Sequence, residues 1–244
     1  MGSQFLLKAV VFDCDGVLVD TEPLHYRAFQ EVLVPLGLGF DYEHYLKHYI
    51  GFDDRDAFLE AFRERNRPVD LETLGGLIAA KGNALLGILT AGVPSFPGVR
   101  PLVQDLASAG IPLAVASGAL RKEVELFLRT LAIEKAFSVI VAADEITRSK
   151  PDPETYLVAL EHLRREHPSS RLEACRCIAI EDTPAGIQSA REAGLFVVGV
   201  TNSFPASTLR DHAHHVVESL ADLNGAALDE LLRGEEKRRV LSSA

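Results

Sequence analysis

Five short apolar runs and a weaker sixth, most of them separated by helical patterns, constrain this chain more than any other feature. They lie at Leu6–Phe12, Ile111–Ala116, Phe137–Ala142, Cys177–Ile180, Phe196–Val200 and, more weakly, His215–Val217. Between most of them the apolar residues recur with helical spacing, at Val99–Ala109, Lys122–Leu131, Glu154–Leu163 and Ala185–Ala193. The apolar runs lack the polar alternation of a half-exposed sheet, so they predict strands covered on both faces. Strands alternating with helices then give an α/β fold with a Rossmann-like parallel sheet core. Helix ends agree with this reading. Gly110 and Gly194 follow helical runs where a left-handed residue closes the last turn, and Asp152 before Pro153 reads as an N-cap with proline in the first turn.

One interval breaks the alternation. From Thr21 to about Phe96 no buried strand is legible, only amphipathic stretches at Pro23–Val34, Asp54–Arg65 and Leu71–Thr90, and Pro94, Pro97 and Gly98 mark the return to the sheet. The interval is too long for a crossover and reads as a helical insertion after the first strand. A chain of 244 residues can bury one core plus a smaller appended domain. The expected organisation is a core over 1–20 and 97–225, an inserted helical cap over 21–96, and a helical tail over 226–244 whose end, from Arg233, is frayed and solvated.

The first strand runs straight into Asp13-Cys14-Asp15-Gly16-Val17-Leu18-Val19-Asp20. Two like-charged carboxylates this close need a cation or a chemical purpose, and ligands bind at the carboxyl ends of such strands. If the strand continued, Asp13 and Asp15 would share one face and Cys14 the other. An Asp-Gly turn is the plain alternative. Other strand ends supply further polar groups. Ser117-Gly118 offers a hydroxyl and flexible backbone to an anion's oxygens, although a serine there could equally cap a helix. Lys150 precedes a stiff Pro-Asp-Pro entry to a helix. Glu181-Asp182-Thr183 forms a second acidic pair. Clustered together, Asp13, Asp15, Glu181 and Asp182 would repel strongly, and hard oxygen donors without nearby Cys or His point to Mg²⁺.

Composition excludes several alternatives. A formal net charge of −10 argues against nucleic acid or an anionic membrane surface as partner. No apolar stretch reaches the length of a membrane span, and no signal-peptide pattern opens the chain. Three cysteines make no disulfide framework and suit a reducing, cytoplasmic setting; all three read as core residues. His212, His214 and His215 read as surface histidines.

The four motifs together resemble those of the haloacid dehalogenase superfamily of phosphotransferases, in order and over about residues 5–220. The insertion after the first motif resembles that family's helical cap. The resemblance implies a Mg²⁺-dependent phosphatase working through an aspartyl-phosphate. Asp13 would be the nucleophile and Asp15 the general acid and base. Asp13, the backbone of Asp15, Glu181 and Asp182 would hold the metal, while Ser117, Gly118 and Lys150 would bind the transferring phosphoryl group. Asp20 is read as shaping the hinge.

Thr21-Glu22-Pro23-Leu24-His25 resembles the hinge of the β-phosphoglucomutase-like branch, which includes sugar-phosphate and phosphoglycolate phosphatases. On that resemblance His25, Arg55 and Lys81 are candidate substrate contacts, with Gly51-Phe52-Asp53-Asp54-Arg55 as the specificity loop. Plain solvated surface residues are the alternative for each. Arg55 stands one residue further from Gly51 than in the mutase pattern, and Ser117-Gly118 is more like the phosphatases. The expected function is therefore hydrolysis of a small phosphorylated metabolite, with a phosphomutase or a non-catalytic phosphometabolite sensor as alternatives. A cap of this size permits a monomer or weak homodimer.

Overall fold

The computed structural model describes residues 5–50, 52, 54–90 and 92–242. By the clustering of its contacts the chain forms two compact units, Met1–Val19 with Ser95–Ala244, and Asp20–Pro94.

The first unit holds a six-stranded parallel sheet among the described residues, with β1 (Ala9–Phe12), β2 (Leu113–Ala116), β3 (Val139–Val141), β4 (Cys177–Glu181), β5 (Phe196–Val200) and β6 (His215–Val217) in the order β3-β2-β1-β4-β5-β6. β1, β2, β4 and β5 are buried at every position, as their unbroken apolar runs require when both faces are covered. One such face packs Ala9, Val11, Ala114 and Ala179 against Tyr156, Leu160 and Ile187. β1 is shorter than its apolar run. Leu6 and Leu7 send their backbone N–H groups to the Asp229 carboxylate instead of a neighbouring strand.

The second unit contains α1 (Glu22–Leu33), α2 (Tyr42–His48), α3 (Asp54–Glu64) and α4 (Leu71–Leu89). Asp41 caps α2 by accepting from His44 N, and Asp70 caps α4 by accepting from Thr73 N. Phe29, Tyr45, Tyr49, Phe58 and Phe62 form its aromatic core. The first unit adds α5 (Val99–Ser108), α6 (Arg121–Thr130), α7 (Glu154–Glu166), α8 (Pro184–Glu192), α9 (Ala206–Arg210) and α10 (Gly225–Ser242).

Some local expectations shift by a residue or a role. Gly110 and Gly194 adopt φ of 70° and 88° after α5 and α8, as left-handed helix closures. Asp152 does accept from Glu154 N, but Pro153 rather than Asp152 occupies the position just before α7. Cys14 and Cys177 are buried, whereas Cys175 is exposed because it lies on a 3₁₀ turn ahead of β4 rather than on the strand. His214 is half-buried and accepts from Val197 N through Nδ1 while stacking on Phe196. α10 begins with buried Leu228 and Leu232. Among the described residues, no helix is long and apolar enough to cross a membrane.

Candidate active site

β1 is where the strand order turns, with β2 and β3 on one side and β4 to β6 on the other. Ligands bind at the carboxyl ends of strands beside such a switch point. Phe12 lies opposite Val115 and Ile180 in register, so Asp13, Ser117 and Asp182 leave the sheet from three neighbouring strands. Asp13 N still donates to Ile180 O at 3.0 Å, but β1 itself has ended. The acidic pair therefore sits on a turn rather than on a strand pleat, with Leu18 N donating to Cys14 O at 2.8 Å and Asp15 bridging to Val19.

Lys150, from the segment before α7, ties three strand ends together. Its Nζ donates to Asp13 Oδ1 and Glu181 Oε1, each at 2.6 Å, and to Ala116 O at 3.0 Å. Burial works against the ammonium charge, but the two carboxylates outweigh it and hold the lysine well above its ordinary pKa. The Tyr156 ring lies under the same ammonium, 5.0 Å from Nζ.

Glu181 is fully buried and saturated with donors. Beside Lys150, Oε1 accepts from Tyr156 Oη at 2.8 Å. Oε2 accepts from the backbone N–H groups of Asp182 and Thr183 at 3.1 and 3.4 Å, and from Thr183 Oγ1 at 3.3 Å. A Cβ at Gly186 would lie 1.9–2.2 Å from this carboxylate, so only glycine fits there.

Asp182 is held differently. Its Oδ2 accepts from Ser203 Oγ, while Oδ1 is buried with no partner. Burial first, then the charge of Glu181, pushes its carboxyl up to about 7. Gly16, at φ +80°, lies against it so closely that a Cβ would come within 1.8 Å of Oδ2. Asn202 Nδ2 fixes this turn by donating to Gly16 O at 2.7 Å. Asp13 is raised well above the usual carboxylate range by burial, eased by Lys150 and aggravated by Glu181 and Asp182.

Oxygens of Asp13, Glu181 and Asp182 lie within 4.8 Å of one another. Three buried carboxylates facing one ammonium leave an excess of negative charge. A buried oxygen without a partner is uncommon in a folded protein, and here it belongs to an all-oxygen donor set. That chemistry fits a metal ion, and a hard one.

A sequence model of the haloacid dehalogenase-like hydrolases matches residues 10–200. The chain belongs to this family. It is an enzyme of the family's phosphatase class. It is 34% identical over 201 residues to Protein CbbY of Rhodobacter capsulatus, covering 79% of this chain and 84% of that protein. It is 31% identical over 201 residues to the phosphorylated carbohydrates phosphatase of Thermotoga maritima, covering 81% of this chain and 87% of that protein. Among solved structures, CbbY from Rhodobacter sphaeroides in complex with phosphate superposes with a TM-score of 0.75 at 28% identity, over 91% of this chain and 99% of that one.

Of the residues marked by the haloacid dehalogenase resemblance, Asp13, Lys150, Glu181 and Asp182 form this one cluster. Ser117 is buried beside them in sequence register, and its Oγ accepts from Ala119 N at 2.9 Å in a tight turn rather than capping α6. Gly118 is exposed in that turn. In the second unit, Lys81 is buried, not solvated. Its Nζ donates to His25 Nδ1 at 2.8 Å and Asp54 Oδ1 at 2.6 Å, and lies 4.8 Å from the Phe29 ring centroid. Burial, then the Lys81 charge, lowers the His25 imidazole to about 4. Arg55 is exposed on α3, and Gly51 and Asp53 lie outside the described residues.

Sequence reasoning missed Tyr156, Asn202 and Ser203. Tyr156 was hidden in the apolar face of α7. Asn202 and Ser203 follow β5, and the strand-end rule applied there would have found them.

Proposed function

We propose that the chain is a Mg²⁺-dependent phosphatase acting on a small phosphorylated sugar or similar metabolite through an aspartyl-phosphate. The observation that carries this reading is Lys150 clamped between Asp13 and Glu181, beside an unpartnered Asp182 oxygen at the sheet's switch point. Asp13 is the nucleophile. Its carboxylate attacks phosphorus, and the bond to the leaving oxygen breaks. Asp15 gives that oxygen its proton, then takes a proton from the water that attacks the aspartyl-phosphate. Inorganic phosphate leaves and Asp13 is restored. Lys150, with Ser117 and the Gly118 backbone, binds the phosphoryl oxygens and offsets the charge that builds on them.

Asp13, the backbone of Asp15 and Asp182 are the residues that would hold Mg²⁺, with help from Glu181 beside them. When bound, the ion neutralises phosphate charge so that an anion can meet a carboxylate. His25, Arg55 and Lys81 are proposed to select the organic part of the substrate. Hydrolysis is favoured over phosphoryl rearrangement because the Thermotoga relative, at 31% identity, is named a phosphatase.

A panel of phosphorylated metabolites that includes both glucose phosphates, assayed with Mg²⁺ and with chelator, tests the reading. It expects Mg²⁺-dependent release of inorganic phosphate from at least one sugar phosphate. Net conversion of β-glucose 1-phosphate to glucose 6-phosphate would overturn the choice of hydrolysis. No release from any member of the panel would favour a sensor.

A further inference from the structure

The three clustered carboxylates are not equivalent. Glu181 has every lone-pair direction supplied by protein. Oε1 takes Lys150 and Tyr156, and Oε2 takes the backbone of Asp182 and Thr183 with the Thr183 hydroxyl. A carboxylate offers about four acceptor positions, and five donors already converge on this one. Gly186 closes the remaining side, since no Cβ fits beside the carboxylate. Asp182 presents the opposite case, with a buried oxygen that no protein donor reaches.

We propose that Tyr156 is a positioning residue, which holds Glu181 as the counter-ion that aims Lys150 at Asp13 and keeps Glu181 out of the metal's ligand set. Of the three carboxylates, Asp13 and Asp182 are then the ones left to hold the cation. Tyr156 acts at two points of this device. Its hydroxyl fixes Glu181 Oε1, and its ring face lies 5.0 Å from the ammonium that Oε1 binds. Neither contact touches substrate, so the effect of Tyr156 passes through Lys150. Phenylalanine would keep the ring and lose only the hydroxyl, which separates aim from packing.

The inference rests on the proposed phosphatase reading, and the measurements keep the two apart. Mn²⁺ binding to the phosphate-free protein, followed by electron paramagnetic resonance, reads the ligand set without turnover. Glu181→Gln should bind Mn²⁺ within about threefold of the parent, while Asp182→Asn should bind it at least about tenfold more weakly, as loss of a ligand carboxylate implies. Tyr156→Phe should stay folded, with a modestly lower thermal midpoint from the lost buried hydrogen bond, and keep its Mn²⁺ affinity. Its kcat on an aryl phosphate should fall about fivefold or more at unchanged KM, the size expected for one charge-assisted hydrogen bond acting in the transition state. Tyr156→Leu, which also loses the ring face, should fall further. Glu181→Gln losing Mn²⁺ as severely as Asp182→Asn would overturn the inference, as would Tyr156→Phe turning over within twofold of the parent. If the parent released no phosphate while the Mn²⁺ pattern held, the phosphatase reading would fail and the assignment of Glu181 would stand.

Discussion

Lys150 carries the electrostatic balance of the site. It is the cation bonded to both Asp13 and Glu181, which are buried, and its own side chain is only 14% exposed. Removing one partner of such a buried arrangement leaves charge uncompensated. Lys150→Met should therefore destabilise the metal-free protein by about 3 kcal/mol in urea unfolding, and abolish turnover. A variant as stable as its parent would show that the acids are relieved some other way. Lys150 is legible in sequence because a Pro-Asp-Pro segment stiffens the chain beside it. Asp13, Glu181 and Asp182 are legible because carboxylates seldom end buried strands without cause. Tyr156 is not, because an aromatic ring with a polar tip follows the same helical period as the core residues around it. Asp182's missing partner is equally invisible, since a hydrogen bond that is not made leaves no trace in sequence.

Elements show where local pattern ends and long-range contact begins. Leu6 and Leu7 continue the apolar run of β1, yet their N–H groups go to Asp229 on α10, with Leu7 N at 2.9 Å. No local period reveals a partner so far along the chain. Asp229→Ala should cost about 1–3 kcal/mol of stability, because it strands two backbone donors, and a thermal midpoint equal to the parent's would refute that role. The first turns of α10 belong to the core through Leu228 and Leu232, which a reading of its charged end alone does not show. In the second unit, α4 looks polar-faced at Lys81, but that lysine is buried between His25, Asp54 and Phe29. The His25 imidazole is lowered to about 4, first by burial and then by Lys81. The folded protein thus binds fewer protons there than the unfolded chain between pH 4 and about 6.5, so stability is lost as pH falls through that window. The loss attributable to His25 should be on the order of 2 kcal/mol, less than the whole shift would give because His25 is only partly withdrawn from solvent. His25→Gln should flatten the pH dependence of unfolding in this range. An unchanged slope would contradict it.

At the scale of the whole molecule, the parallel sheet was legible because strands apolar on both faces can be satisfied only between layers of helices. The order of the strands was not, since apolar runs carry no record of which neighbour each will pair with. That order matters, because it makes β1 the switch point and brings Asp13, Ser117 and Asp182 to adjacent strand ends. The helical segment was legible as an interruption, while α2 escaped notice because seven residues give the helical period too few turns to declare itself. Under the proposed reading the substrate is selected by side chains of the helical unit, and surface charges there look alike in sequence whether they bind or are merely solvated. What the core does to a phosphate is more sharply specified, and it turns on one atom set. The most direct measurement is phosphate release from an aryl phosphate with Mg²⁺ by the parent and by Asp13→Asn. The account predicts Mg²⁺-dependent release by the parent and a fall of about a thousandfold or more in the variant, since loss of the nucleophile removes the covalent route. Release by Asp13→Asn at a rate near the parent's would contradict it.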